Sequence, residues 1–257
     1  MPAVLYPFPP CVILLTGRFG AGRIGRVVRR AVGYPYLLFD ADNTLFDFDR
    51  ANRGAFHAVC QAMDLPESDE HFALYEQCNN ALWTAFDRGE CTKDYLVIER
   101  FRRFLAQLGI KRDPERCNEV HLRALAGSSF LFPHAEEVCR DLSSTHRLYL
   151  VTNAVAAVQH SRLRRSAILP YISGAFISEE AGAAKPEVAY FDYVFTHIDG
   201  ISRDNCLLIG DSLSSDIRGA NNYGIPCCWY NPKGTPRPDG LRIDYEIWDL
   251  RQLYDIV

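Results

Sequence analysis

The chain has no long hydrophobic run. No apolar stretch approaches the roughly 18 residues of a membrane-spanning helix, so no membrane partner is expected. Positive charge is not in surplus either. Lysines and arginines number 28 against 32 acidic residues, a net charge of −4, which leaves no electrostatic footprint for a nucleic-acid polymer. Paired cysteines are missing. The nine cysteines include no Cys-x-x-Cys spacing, and only Cys227 and Cys228 are adjacent. Buried thiols in a reducing compartment explain them better than disulfides or structural zinc, and a cytoplasmic location is expected. The seven histidines do not cluster, and no segment repeats. What remains is 48% hydrophobic and 23% charged, the balance of a soluble globular protein. Its 257 residues suffice for one large domain or for a core with a smaller companion.

Residues 1–35 differ from the rest. They hold five arginines and no acid, and Gly20-x-Gly22-x-x-Gly25 follows the apolar run Val12-Ile13-Leu14-Leu15. That spacing imitates the phosphate-binding turn of a dinucleotide-binding unit. A targeting presequence would also be arginine-rich, yet this segment has no serine and carries Pro9-Pro10 early. The expectation is that residues 1–35 are an extension outside the fold.

Four motifs carry the chemistry. Asp40-Ala41-Asp42-Asn43-Thr44 follows Tyr36-Leu37-Leu38-Phe39, and Thr152-Asn153 follows Leu148-Tyr149-Leu150-Val151. Lys185-Pro186 comes next, and Gly210-Asp211-Ser212 with Asp216 follows Cys206-Leu207-Leu208-Ile209. Short apolar runs bounded by turn formers read as strands buried on both faces. Three acids, a hydroxyl and a lysine therefore gather at the carboxyl edge of one parallel sheet, where open α/β folds bind ligands. Alone, each motif also fits a plain turn or a helix cap. Together, in this order, they describe an anionic cup with one cation, suited to Mg²⁺ and a phosphate. A carboxylate can attack phosphorus, which makes Asp40 the candidate nucleophile. Asp42, two residues on, can protonate a leaving alkoxide and then activate water. Asp40, Asp211 and Asp216 are the candidate metal ligands. Thr152 Oγ and backbone N–H groups near Asn153 can hold phosphate oxygens, and Lys185 adds positive charge beside the nucleophile.

The motif set resembles the haloacid dehalogenase superfamily over about residues 36–256. The resemblance implies that Asp40 is nucleophile, Asp42 acid/base, and Lys185 and Thr152 phosphate-handling residues. It also implies that the backbone carbonyl of Asp42 completes the metal shell. True dehalogenases lack the second acid of the first motif, so Asp42 points to a phosphatase. Ala154 stands where relatives often carry glycine. Within the superfamily the chain is similar to pyrimidine 5′-nucleotidases through Phe39 to Phe46, Asn79-x-x-Leu82-Trp83, Ile177 to Gly182, Ala184-Lys185-Pro186 and Cys228-Trp229-Tyr230-Asn231.

The remaining pattern divides in two. Leu45 to about Arg53 is aromatic and acidic, and the resemblance places a flexible flap there. Residues 54–131 read as four helices, the third capped by Thr92 and ended by Gly109, the fourth opened by Asp113-Pro114. After Pro133, helices near 135–143, 156–166, 187–196 and 214–223 alternate with strands near 148–151, 175–178, 206–209 and 226–229. An edge strand is expected at 245–248, followed by a short helix. Alternation predicts a doubly wound parallel α/β sheet, residues 36–53 and 132–257, with an inserted all-helical cap at 54–131. Cap and flap would choose the substrate. Phe48 and Trp83 are candidates to stack on a base, Phe46 and Phe86 weaker ones, and Asn79 could pair with a base edge. The expected activity is a Mg²⁺-dependent 5′-nucleotidase acting on pyrimidine nucleoside monophosphates, as monomer or homodimer. Phosphoglycolate or a sugar phosphate as substrate, and a catalytically silent phospholigand-binding domain, are the rival readings.

Overall fold

Six short strands form one parallel sheet at the centre of the molecule. The computed structural model describes residues 33–257; the glycine fingerprint at 20–25 lies outside them. The strands are β1 (Tyr36–Phe39), β2 (Arg147–Thr152), β3 (Ile172–Ile177), β4 (Cys206–Gly210), β5 (Cys227–Tyr230) and β6 (Tyr245–Ile247). Their order is β3-β2-β1-β4-β5-β6, every neighbouring pair parallel. The order reverses at β1, which places the carboxyl ends of β1, β2 and β4 side by side at the switch point.

Successive side chains on a strand face opposite ways. Leu37, Phe39, Leu148, Leu150, Leu207 and Ile209 therefore pack on one face with helix α5 (Ala135–Leu142) and the C-terminal 3₁₀ turn at Leu250–Asp255. Leu38, Tyr149, Val151 and Leu208 pack on the other with α8 (Val188–Thr196) and α9 (Arg218–Tyr223). Helix α6 (Ala156–Arg165) follows β2, and a single turn, α7 (Ser178–Ala181), follows β3. The doubly wound sheet expected from the alternation is present.

Between β1 and α5 the chain inserts four helices: α1 (Phe48–Met63), α2 (Asp69–Asp87), α3 (Lys93–Leu108) and α4 (Pro114–Ala126). Each opens on a side-chain cap: Asp47, Ser68, Thr92 and Asp113. They enclose a core of their own, in which Phe56, Tyr75, Phe101 and Phe104 are fully buried and the Tyr75 and Phe101 rings stack 5.2 Å apart.

Three local expectations need correction. The expected flap from Leu45 to Arg53 is mostly helix, because Asp47 accepts from Arg50 N at 3.0 Å and starts α1 at Phe48. Residues 34 and 35 belong to the fold: Tyr34 is buried, and its hydroxyl lies 3.1 Å from that of Tyr245 on β6. The helix expected at 214–223 is a π-helical turn at Leu213–Ile217 running into α9. Such wide turns recur at functional sites, where they re-aim side chains.

Candidate active site

The end of β1 delivers Asp40 into the switch-point crevice. Asp40 N donates to Ile209 O at 2.8 Å, so the strand pairing itself fixes the Asp40 backbone. Asn43 then adopts a left-handed backbone, φ 60°, which Asn tolerates better than most residues. The chain folds back so that Leu45 N and Phe46 N both donate to Ala41 O. This tight turn leaves the Asp40 and Asp42 side chains on one cleft, as their spacing predicted.

Lys185 is the centre of the cluster. Its Nζ donates to Asp40 Oδ1 and Asp216 Oδ1, both at 2.6 Å, and to Val151 O at 2.7 Å. The Lys185 loop is held by Asn153, whose amide donates to Lys185 O at 2.8 Å and accepts from Lys185 N at 3.0 Å. Both ends of the Asn153 side chain are thus occupied by backbone, which leaves only its N–H for a phosphate. Thr152 Oγ1 accepts from Ala154 N at 3.2 Å on the same edge. On β4, Gly210 is required by contact: a Cβ there would collide with the Asp216 carboxylate. Asp216 Oδ2 accepts from Ser212 N at 3.1 Å. Thr44, from the first motif, reaches Asp211 Oδ1 at 3.5 Å.

Carboxylate oxygens of Asp40, Asp211 and Asp216 all lie within 4.8 Å of one another. One ammonium pairs with Asp40 and Asp216 while Asp211 stands beside them, so carboxyls outnumber cations in this cluster. Burial pushes the Asp40 carboxyl up to about 7 against the pull of Lys185, and Asp216 adds to the rise. Burial also pushes Asp211 well up, with Asp40 and Asp216 reinforcing it. Burial alone would pull Lys185 down, but Asp216 and Asp40 outweigh it and hold the ammonium charged. A cluster of this charge fits a hard divalent cation with oxygen ligands. Asp216 has both oxygens engaged, whereas Asp40 and Asp211 each keep one oxygen without a partner among the described residues, which makes those two the candidate direct ligands.

A cleft of about 600 Å³ opens above the cluster. Asp40, Asp42, Thr152, Asn153, Lys185, Asp211 and Asp216 line its floor, and Phe48, Asn79 and Trp83 line its walls. The motif residues singled out in the sequence thus meet in one cavity with Phe48, Asn79 and Trp83. Phe46 and Phe86 do not line it. Phe46 is fully buried beneath an arginine, and Phe86 packs edge-on against Trp83 with centroids 5.6 Å apart. The Asn79 carbonyl is already taken by Arg100 Nη1 at 3.1 Å.

Sequence reasoning missed three wall residues, Arg162, Arg100 and Asp87, and one anchor of the cap, Lys93. Arg162 on α6 pairs with Asp42. Arg100 on α3 is buried in the cap. Asp87 at the end of α2 accepts from Ser214 Oγ at 2.5 Å across the cleft, and its carboxyl is raised, chiefly by burial. Lys93 on α3 donates to Ser178 Oγ at 2.7 Å and Ala154 O at 3.1 Å, tying the cap to the loop after β2. Charged residues on amphipathic helices read as solvated, and nothing in their spacing marks these four as facing inward.

Residues 34–224 match the model of haloacid dehalogenase-like hydrolases. The HAD-hydrolase YfnB of Bacillus subtilis is 36% identical over 87% of this chain and 95% of its own. A crystal structure of YfnB bound to magnesium superposes with a TM-score of 0.84, covering 87% of this chain and 98% of that one, and reveals interdomain movement in that protein. The pyrimidine 5′-nucleotidases PynA of Streptococcus pneumoniae and YjjG of Escherichia coli are 32% and 29% identical. They cover 86% and 87% of this chain, and 94% and 98% of their own. With the motif geometry, the matched family model and relatives of this identity along nearly their whole length, the chain belongs to the haloacid dehalogenase-like hydrolases.

Proposed function

We propose that this hydrolase cleaves phosphomonoesters through an aspartyl-phosphate, and that its substrates are pyrimidine nucleoside 5′-monophosphates. The observation that carries the chemistry is the Lys185 bridge between Asp40 and Asp216 beside Asp211, at the switch point of the sheet. Asp40 attacks phosphorus and the ester P–O bond breaks, while Asp42 gives its proton to the departing alkoxide. Asp42 then takes a proton from the water that attacks the aspartyl-phosphate, which restores Asp40 and releases inorganic phosphate. Lys185 orients Asp40, and Thr152 Oγ1 with neighbouring backbone N–H groups holds phosphoryl oxygens. Asp40, Asp211 and the Asp42 carbonyl, with Asp216 beside them, would hold Mg²⁺, which would supply positive charge against the phosphoryl oxygens and the carboxylates. Catalysis is then positioning plus electrostatics.

The substrate assignment rests on the walls and on the two named nucleotidases. A cleft of about 600 Å³ with Phe48 and Trp83 on its walls and Val97, Leu125 and Val155 beside them suits a flat base better than a two-carbon acid. Residues 54–131, as a cap, close this space over the phosphate site. Phosphate release from a panel of nucleoside monophosphates, phosphoglycolate and sugar phosphates, with and without Mg²⁺, tests the reading. Mg²⁺-dependent turnover led by pyrimidine nucleotides is expected. A sugar phosphate turned over faster than every nucleotide would refute the substrate assignment, and no release from any ester would refute the chemistry.

A further inference from the structure

Arg162 has no part in the steps above, yet it touches the acid/base. Its side chain is 1% exposed and forms an ion pair with Asp42, whose side chain keeps 25% exposure. Nη1 also donates to Gln159 Oε1 at 3.2 Å. Nε and Nη2 have no hydrogen-bond partner among the described residues. The guanidinium lies over the Phe46 ring at 4.7 Å and within 5.9 Å of the Phe48 ring. A buried guanidinium costs several kcal/mol to desolvate and persists only where it is paired. Asp42 is its only carboxylate partner among the described residues.

The pairing has a geometric consequence. Asp42 sits on a tight turn, next to the left-handed Asn43. Arg162, by contrast, projects from a regular helix and is held by Phe46 from the loop and Phe48 from the first turn of α1. A guanidinium braced by two rings therefore holds the partly exposed Asp42 carboxyl in one orientation. We propose that Arg162 is a positioning residue that holds the Asp42 carboxyl where it can pass a proton to the leaving group. This rests on the assignment of Asp42 as acid/base. Arg162 itself gives and takes no proton: the ester P–O bond breaks, Asp42 supplies the proton to the alkoxide oxygen, and Asp42 later recovers one from the attacking water. The same joint reaches the cap, because Phe48 opens α1 and Val158 of α6 packs with Ala51, Ala55 and Leu125.

The test exploits leaving-group basicity. A nucleoside alkoxide needs a proton as it departs; a dinitrophenolate does not. kcat/KM would be measured for the best nucleoside monophosphate and for 2,4-dinitrophenyl phosphate in wild type, D42N, R162M, R162K and the D42N/R162M double variant. R162M is expected to lose at least about tenfold more on the nucleotide than on the dinitrophenyl ester. R162K, which keeps the charge without the planar fork, should recover part of that loss. In the D42N background R162M should add less than about twofold, because the two act as one unit. Equal losses on both esters, an undiminished effect in the D42N background, or no effect on the nucleotide each overturn the proposal. If D42N itself shows no leaving-group dependence, the Asp42 assignment fails, a different outcome from a failure of Arg162. Should R162M not fold, R162K carries the same comparison at smaller amplitude.

Discussion

Among the described residues, a polar cluster under the cleft and another in its roof differ in the sign of their charge. The core cluster, Asp40, Asp211, Asp216 and Lys185, has more anions than cations. The cap cluster is built on Arg100, which is 3% exposed and donates to Asn79, Asn118, His121 and the Val97 carbonyl, all neutral acceptors. His121 meets Tyr75 and Asn52 at 3.0 Å each. Burial, with Arg100 beside it, pushes His121 well below the usual histidine range, so it sits there neutral. The difference separates chemistry from construction. The cap network closes on itself and stiffens four helices, whereas the core network has more carboxyls than cations and has the donor set of a hard divalent cation.

Removing the proposed nucleophile should break the core side most completely. Asp40→Asn should cost about a thousandfold or more in kcat, with a melting temperature at or above wild type because one of the repelling carboxylates is gone. An Asn variant keeping a tenth of wild-type kcat would sink the assignment.

Next in size is the metal, and here the sign follows from the raised carboxyls. Asp40 and Asp211 bind protons more tightly folded than unfolded, so in metal-free protein that contribution is full at low pH. It is lost as pH climbs from about 4 towards about 7. EDTA should abolish activity, and Mg²⁺ should raise the melting temperature more at pH 8 than at pH 5, where protons compete for the same oxygens. A pH-independent shift, or full turnover in metal-free buffer, would refute the metal site.

The roof offers a smaller effect of a different kind. Trp83→Ala or Phe48→Ala should lower kcat/KM for a pyrimidine nucleotide roughly 5- to 150-fold, the range of one stacking contact of about 1–3 kcal/mol. p-Nitrophenyl phosphate should be much less affected. Equal losses on both substrates would make these aromatics packing residues.

The smallest effect should come from the cap cluster. His121, depressed in the fold, charges more readily in the unfolded chain, so its stabilisation is present above the ordinary histidine range and drains away as pH falls below about 6.5. Thermal unfolding between pH 7 and pH 5 should fall by on the order of a few degrees, and less steeply in His121→Asn. An unchanged slope in that variant would place the acid sensitivity elsewhere.

The two clusters were unequally legible. Asp40, Thr152 and Asp211 each follow an apolar strand, and a strand end in a parallel sheet has one place to go, so the core residues could be placed from local pattern alone. Thr92, Gly109 and Asp113-Pro114 likewise marked helix ends where helices end. Arg100 and Arg162 were not legible. Each lies on a helix among other arginines, Arg102 and Arg103 or Arg164 and Arg165, and the string does not say which one turns inward. Phe46 and Phe48 posed the same problem: two residues apart, one is wholly buried and the other lines the cleft.

By itself, then, the sequence determined the order of elements, the parallel sheet and the residues at its switch point. Strand periodicity, caps and motif spacing are local, and each is set by a few neighbouring residues. Only the tertiary structure decided that Asn153 spends its side chain on the Lys185 loop, that Arg162 holds Asp42, and that Lys93 fastens the cap to the loop after β2. Those contacts join residues 32, 120 and 61 positions apart. Their partners are chosen by packing at the joint of cap and core, which no local pattern encodes.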